Sequence, residues 1–314
     1  MFKYSDNNKR YHTLDYFYKK TFNNKVYKVS INGGFSCPNK DGTKGNGGCI
    51  YCSKLGSGEF AGNPKKNLIE QFNEVNEIMK RKWPNGKIIG YFQANTNTYA
   101  KLDELKEKYE TILKQKDVIG LNIATRPDSI SKECLEYLEE LNKKTYLTIE
   151  LGLQTIKEET SKWINRCHSL KEFDNMVIEL RKRNINVIVH IINRLKNETE
   201  EDMLNTIKHI NKLDIQGIKF HMLCILKNTK LEEDYKNNQF HILSKEEYID
   251  IVIKQLELLR PEIVIHRICA DPDPNDLIEP KWVIKKFIVM NDLDKEMKKR
   301  NTYQGKYVYI SNNN

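Results

Sequence analysis

An α/β fold follows from three observations on the sequence. Short apolar runs of strand length recur six times, amphipathic helices separate them, and a loop rich in Gly and Cys directly follows the first run. Six βα units in succession imply a parallel sheet with right-handed crossovers, and they suit an incomplete barrel better than a closed eight-fold one. At 314 residues the chain is long enough for one such domain with an ample core. No internal repeat or low-complexity linker interrupts it.

Taken in order, residues 8–23 read as an amphipathic helix leading into a strand at about 25–31, where Val26, Val29 and Ile31 are apolar. The cysteine loop follows at the carboxyl end of that strand, the place where α/β barrels carry their chemistry. A helix at about 65–82 ends before Trp83-Pro84-Asn85-Gly86, and a strand runs over 87–94. Next come a helix at 103–115, a strand at 118–124, a helix capped by Ser131 and a strand at 145–152. A helix at 169–183 precedes the strand at 186–192, and Thr199-Glu200-Glu201-Asp202 resembles a capping box for a helix to about 211. The sixth strand is expected over 215–226. Beyond it the pattern changes to a helix capped at Ser244, a short strand at 263–266, a break at Asp271-Pro272-Asp273-Pro274 and a basic helix at about 281–300. The expected organisation is therefore a basic N-terminal extension (1–24), a core barrel (25–226) and a C-terminal extension (227–314) that completes the barrel's open side.

Hydrophobic residues at 39% and charged residues at 30% are ordinary for a soluble globular protein, and no apolar run approaches the ~20 residues of a bilayer span. A cytoplasmic location and no membrane partner are expected. The net charge of +9 is uneven: residues 1–30 and 281–306 each carry +5, leaving −1 for the rest. If the two ends meet in space they form a basic surface suited to a polyanion such as RNA, with Tyr4, Tyr11, Tyr16, Phe17, Tyr18 and Phe22 interleaved among the charges. Against this, Lys is abundant throughout, and a lysine-rich helix face is commonly just solvated.

Three of the seven cysteines, Cys37, Cys49 and Cys52, lie in one loop with Gly42, Gly45, Gly47 and Gly48. Three thiolates can hold a metal centre, and the number is informative. Four would close a tetrahedral zinc site or fully ligate an iron–sulfur cluster, whereas three leave one iron of a [4Fe–4S] cluster open to another ligand. A structural zinc site needs a fourth ligand, for which His12 is the nearest upstream histidine, and zinc motifs usually pair two such units. A disulfide fits poorly with an odd cysteine total and no legible secretory leader. Cys134 and Cys224 lie in apolar stretches and, with Cys167 and Cys269, read as small hydrophobes.

At these residues the chain resembles the radical S-adenosylmethionine (SAM) enzymes, in which three cysteines ligate the cluster, SAM chelates the fourth iron and an aromatic before the last cysteine lies near the adenine. Here that aromatic is Tyr51. The long gap from Cys37 to Cys49 departs from the common spacing. The words Gly33-Gly34-Phe35-Ser36-Cys37-Pro38-Asn39, Asp41-Gly42-Thr43 and Gly47-Gly48-Cys49 look like the YhcC/YtqA-type proteins, relatives of the Elongator catalytic subunit that lack its acetyltransferase domain. The resemblance implies a partial (β/α)6 barrel, a [4Fe–4S] cluster, SAM, and a reductant such as flavodoxin or ferredoxin. It also implies reductive cleavage of SAM to a 5′-deoxyadenosyl radical that abstracts hydrogen from a substrate inside the barrel.

The same resemblance nominates side chains. The second strand ends in Gln93-Ala94-Asn95-Thr96-Asn97-Thr98-Tyr99 where many relatives carry a Gly-Gly-Glu for the SAM amino group, which leaves Asn95, Thr96 and Thr98 as candidates. Gln154 and Arg166 match a SAM-contacting glutamine and an arginine for the SAM carboxylate, a group a guanidinium fork suits. Arg126 lies in a word shared with the Elongator subunit. Glu150, His190 and His221 are candidates to act on substrate, and His266 and Arg267 to face it. Structural readings stand beside these: Arg126 could pair with Asp128, Glu150 could cap a loop, and His190 could be a satisfied core histidine. For substrate the resemblance points to tRNA, where a similar enzyme converts a carboxymethylaminomethyl group at C5 of the wobble uridine to aminomethyl before a separate methyltransferase acts. The rivals are a radical SAM enzyme on a small molecule and a non-catalytic iron–sulfur or zinc module that binds RNA.

Overall fold

The computed structural model describes residues 2–238 and 240–308. In chain order the elements are α1 (Leu14–Phe22), β1 (Val26–Ile31), α2 (Leu68–Lys82), β2 (Lys87–Phe92), α3 (Leu102–Leu113), β3 (Val118–Thr125), α4 (Lys132–Asn142) and β4 (Tyr146–Gln154). They continue with α5 (Glu158–Trp163), α6 (Leu170–Lys182), β5 (Asn186–Asn193), α7 (Glu200–Ile210), β6 (Gly217–Met222), β7 (Ile225–Leu226) and α8 (Lys230–Asn237). The last are α9 (Lys245–Leu258), β8 (Val264–Arg267), β9 (Leu277–Glu279) and α10 (Lys286–Lys299).

Seven strands form one parallel sheet in the order β1-β2-β3-β4-β5-β6-β8. It curls into a half-barrel. Lys219 on β6 reaches the Tyr91 hydroxyl on β2 at 3.0 Å, a contact that four intervening ladders would forbid in a flat sheet, since strands lie ~4.8 Å apart. Side chains alternate along each strand. The outward set, including Val29, Ile31, Phe92, Ile123, Leu151 and Phe220, is fully or nearly fully buried against the helices, and this layer is the main core.

Helix starts are set locally. Asn67, Ser169, Thr199 and Ser244 each accept from the backbone N–H three residues on, and Glu70, Glu172, Asp202 and Glu247 reach back to the cap, so each pair satisfies two otherwise orphaned donors.

The differences from expectation have physical reasons. The first helix begins at Leu14, not residue 8, because Thr13 caps the Tyr16 N–H while its backbone bridges to Ile265 of β8. The strand expected over 215–226 stops at Met222. Ile225 and Leu226 pair antiparallel with β9, and Ile225 joins a second small core with Ile164, Leu195 and Leu231. Helix α5, six residues long, is too short to show a period. The basic segment opens as a 3₁₀ turn (Lys281–Lys285) before α10. The seventh strand of the sheet, β8, comes from the C-terminal extension.

Helix α1 closes the amino-terminal end of the half-barrel: Tyr18, Phe17 and Phe22 pack with Val26, Ile89, Ile119 and Tyr146 at the strand starts. The opposite end, at the strands' carboxyl termini, carries the cysteine loop.

Candidate active site

The inward set of the same strands is polar. Lys28 and Ser30 (β1), Tyr91 and Gln93 (β2), Glu150 (β4), His190 (β5), Lys219 and His221 (β6) and Arg267 (β8) all line one cavity of about 500 Å³. The register accounts for this: His190 pairs with Lys219 and Lys219 with Arg267, so the three side chains emerge at one level. A closed barrel fills this space with packed apolar side chains. Here it is left for a ligand.

At the rim stand the cysteines. Cys37, Cys49, Cys52 and Tyr51 line the same cavity. The loop is stapled to the α5–α6 connection: the buried Asn39 side chain donates to the Asn165 carbonyl at 2.5 Å and lies 3.5 Å from the Cys49 Sγ, while Asn165 Nδ2 donates to the Gly48 carbonyl at 2.8 Å. Gly48 has φ +79°, a left-handed turn that aims the next residue, Cys49, inward and that a side chain would strain. Burial pushes the Cys49 thiol up to about 12 and raises Cys52 as well, so thiolates here need a cation to hold them. Among the described residues no three Cys, His, Asp or Glu side chains are arranged to hold a single metal ion, and His12 is occupied at the foot of β8, its Nδ1 3.1 Å from the Glu262 carbonyl. Cys37, Cys49 and Cys52 share one wall of the cavity and are the thiols that would hold an iron–sulfur cluster there.

The candidates for the cofactor's polar groups separate cleanly. Asn95 and Thr96 line the cavity, but Thr98 bonds the Thr125 hydroxyl and the Ser129 carbonyl and does not. Asn95 accepts from Lys40 at 2.9 Å and so helps hold the cysteine loop. Arg126 is committed as a strut. Its Nε and Nη2 both bond Asp128 at 2.9 Å, and Nη1 donates to the Arg166 carbonyl at 2.8 Å. Arg166 is itself buried, with Nη1 on the Leu153 and Thr155 carbonyls and Nε on that of His168. Its Nη2 has no hydrogen-bond partner among the described residues, and the residue lines the cavity, so one donor is held ready for an acceptor such as a carboxylate. Gln154 also lines the cavity, at a β-bulge with φ +61°.

Deeper, Glu150 accepts from five donors. Lys28 (3.0 Å) and Asn122 (2.9 Å) bond Oε1, and Tyr91 (2.7 Å), Lys219 (2.5 Å) and His190 Nε2 (2.9 Å) bond Oε2. Burial alone would raise its pKa, but Lys219, Lys28 and His190 hold it well below the carboxylate range. With every acceptor site taken, Glu150 organises the foot of the cavity and has no lone pair to offer a substrate proton. His190, pushed down to about 4 by burial and the Lys219 charge, is neutral at pH 7 and donates through Nε2, leaving Nδ1 as an acceptor. The His221 ring lies 5.4 Å from that of His190, and its buried Nε2 has no partner among the described residues.

Lys28, Tyr91, Asn122 and Lys219 are residues that sequence reasoning passed over. The available signal was a lysine inside an apolar strand, as in Val26-Tyr27-Lys28-Val29 and Ile218-Lys219-Phe220, where burial demands a partner.

A sequence profile of the Radical SAM superfamily matches residues 41–210, and one of the Radical_SAM C-terminal domain matches 215–299. The chain belongs to the radical SAM superfamily. It is 46% identical over 306 residues to the uncharacterized protein YtqA of Bacillus subtilis, covering 98% of this chain and 95% of that one. It is 30% identical to protein YhcC of Escherichia coli over 88% of each. Among solved structures, the archaeal Elp3 of Methanocaldococcus infernus superposes with a TM-score of 0.67 at 16% identity over 90% of this chain and 64% of that one, which shows a shared fold. As a radical SAM protein the chain uses a [4Fe–4S] cluster and SAM.

Proposed function

We propose that this radical SAM enzyme acts on tRNA, converting the carboxymethylaminomethyl group at C5 of the wobble uridine to aminomethyl. The observation that carries the reading is the polar barrel interior beneath the cysteine loop, a chamber for a polar group that enters from the rim. A nucleobase turned out of its stack, with its side chain leading, matches that access. The likeness in fold to Elp3 supports the same reading.

The charge distribution adds support. The two basic ends meet: Lys9 pairs with Asp294, Arg10 donates to Asn301 and Thr302, and His12 N–H bonds Gln304. They meet at the foot of β8, not at the rim, and α10 connects the two levels, from Lys286 paired with Asp271 beside the cavity to Arg300 at the foot. Fourteen residues make a helix ~21 Å long whose four lysines are nearly balanced by Asp292, Asp294 and Glu296, so the positive charge offered to a polyanion lies at its two ends.

In this reading Cys37, Cys49 and Cys52 ligate the cluster, Tyr51 borders the adenine, and the unpartnered Nη2 of Arg166 takes the SAM carboxylate. Asn95, Thr96 and Gln154 supply further polar contacts to SAM, and Arg126 positions Arg166. Bound together, cluster and SAM would supply a hydrogen-abstracting 5′-deoxyadenosyl radical, given an electron from a flavodoxin- or ferredoxin-type donor. Loss of hydrogen from the carboxymethyl carbon beside nitrogen, return of a second electron to an acceptor of that type and addition of water to the C=N bond would release the two carbons as glyoxylate and leave the amine. The protein's share is to place the substrate's side chain below the cysteine loop and exclude water. A methyltransferase would consume the aminomethyl product.

The test is mass spectrometry of tRNA nucleosides from a strain lacking the protein. Accumulation of 5-carboxymethylaminomethyluridine or its 2-thio form, with loss of aminomethyl products, is expected. An unchanged profile with the pathway active in the parent would overturn the tRNA assignment and favour a small-molecule substrate.

A further inference from the structure

We propose that the foot of the cavity is a subsite for a substrate carboxylate, with Arg267 as its principal ligand and His221 beside it. The inference rests on reading the cavity as the substrate chamber, and not on that substrate being RNA.

Three cations, Lys28, Lys219 and Arg267, project into the lower cavity, and Glu150 is the carboxylate among them. Glu150 is shared by the two lysines. Among the described residues Arg267 forms no ion pair and no side-chain hydrogen bond, although it lies level with Lys219 and His190. The lining carboxylates nearer the rim are also engaged, Glu59 by the Ser53 hydroxyl and Asp271 by Lys286. A guanidinium in a low-dielectric chamber without a counter-charge is unfavourable, and a planar carboxylate matches its fork with two parallel hydrogen bonds.

The backbone shows that this placement is built. A register shift between β6 and β8 leaves His266 without a strand partner, so His266 and Arg267 both turn to the interior. The His266 ring lies over Gly217, where a Cβ would come within 2.6 Å of it. His221 Nε2 and His266 Nδ1 are both buried without a partner among the described residues. A neutral imidazole can present N–H to an anion, so a carboxylate at Arg267 would also give His221 its missing bond.

In the proposed reaction the carboxylate is that of the carboxymethylaminomethyl group, which makes Arg267 the residue that selects substrate over aminomethyl product. The experiment measures binding of 5-carboxymethylaminomethyluridine and of its methyl ester, which keeps the amine and lacks the carboxylate, to the cluster-loaded, SAM-bound protein. Wild type should prefer the acid by roughly tenfold or more, as a charge-assisted pair contributes. Arg267→Gln should abolish the preference and Arg267→Lys should keep part of it. No preference in wild type, or one that survives in Arg267→Gln, would overturn the proposal. If neither nucleoside binds apart from tRNA, the subsite is decided by crystals soaked in bromide, and the RNA reading stands or falls on the nucleoside profile above. An anomalous peak beside Arg267 in wild type and absent from Arg267→Gln supports it, and no peak beside Arg267 in wild type overturns it. Unfolding curves for the variants control for folding.

Discussion

Lys28 of β1 and Glu150 of β4 meet at 3.0 Å, though they lie 122 residues apart and three strands apart in the sheet. The pair spans the half-barrel and, with Lys219, ties three strands to one fully buried carboxylate. Glu150→Gln leaves two ammonium groups in the interior without a counter-charge, and the expected loss is about 3–5 kcal/mol, read from urea unfolding. Adding Lys219→Met should recover part of that loss, because it removes one of the stranded charges. If Glu150→Gln unfolds like wild type, the network does not hold the barrel.

Arg126 and Asp128 form a bidentate pair whose third arm supports the Arg166 carbonyl. Asp128→Asn weakens the strut without touching the cavity's contents. The KM for SAM should rise roughly tenfold, the equivalent of one charge-assisted bond, with kcat little changed. An unchanged KM would show that Arg166 keeps its position unaided.

Each of Cys37→Ser, Cys49→Ser and Cys52→Ser should yield folded protein that fails to retain a stable [4Fe–4S] cluster, measured as iron and acid-labile sulfide per chain. The same substitution at Cys167, which is exposed and hydrogen-bonded to Asn165, should leave the iron content unchanged.

Glu198 is buried, bonded by the Thr155 hydroxyl and the Leu195 N–H, and burial pushes its pKa from 4.5 up to about 7. Between those values the folded state binds more protons than the unfolded one. Its stabilising contribution is therefore fully present below pH 4.5 and is lost as the pH rises through 7. At ~1.4 kcal/mol per pKa unit, Glu198→Gln should flatten the stability profile over this window by a few kcal/mol relative to wild type. Urea midpoints at pH 4.5, 6 and 8 for both proteins measure the difference, and parallel profiles would count against it.

Gly217→Ala places a methyl against the His266 ring. Overpacking there should cost about 1–3 kcal/mol and displace the β8 bulge, seen as a lower denaturation midpoint.

The parallel alternation and most helix limits were legible because they are local: period, caps and breakers sit within a few residues of one another. The cysteine loop was legible for the same reason, its three thiols lying within 16 residues. What was not legible depends on distant partners. Nothing near Lys28 in sequence announces Glu150, and Arg126, read from its motif as a cofactor ligand, is instead held by Asp128 and the Arg166 carbonyl. The end of β6 was missed because Met222-Leu223-Cys224-Ile225-Leu226 is apolar throughout, and periodicity cannot say that Ile225 belongs to a different core.

The bridge between Thr13 and Ile265 has a consequence for how the chain is made. Strands β1 to β6 are neighbours in the order in which they are synthesised, so each can add to a growing edge as it leaves the ribosome. Helix α1 cannot settle in the same way, because the strand it bridges to is made about 250 residues later. The aromatic face of α1 is covered earlier: Phe17, Tyr18 and Phe22 pack on Val26, Ile89, Ile119 and Tyr146, all made once β4 begins. Docking of α1 therefore has two stages, an aromatic one against the early strands and a backbone one at Thr13 that waits for β8.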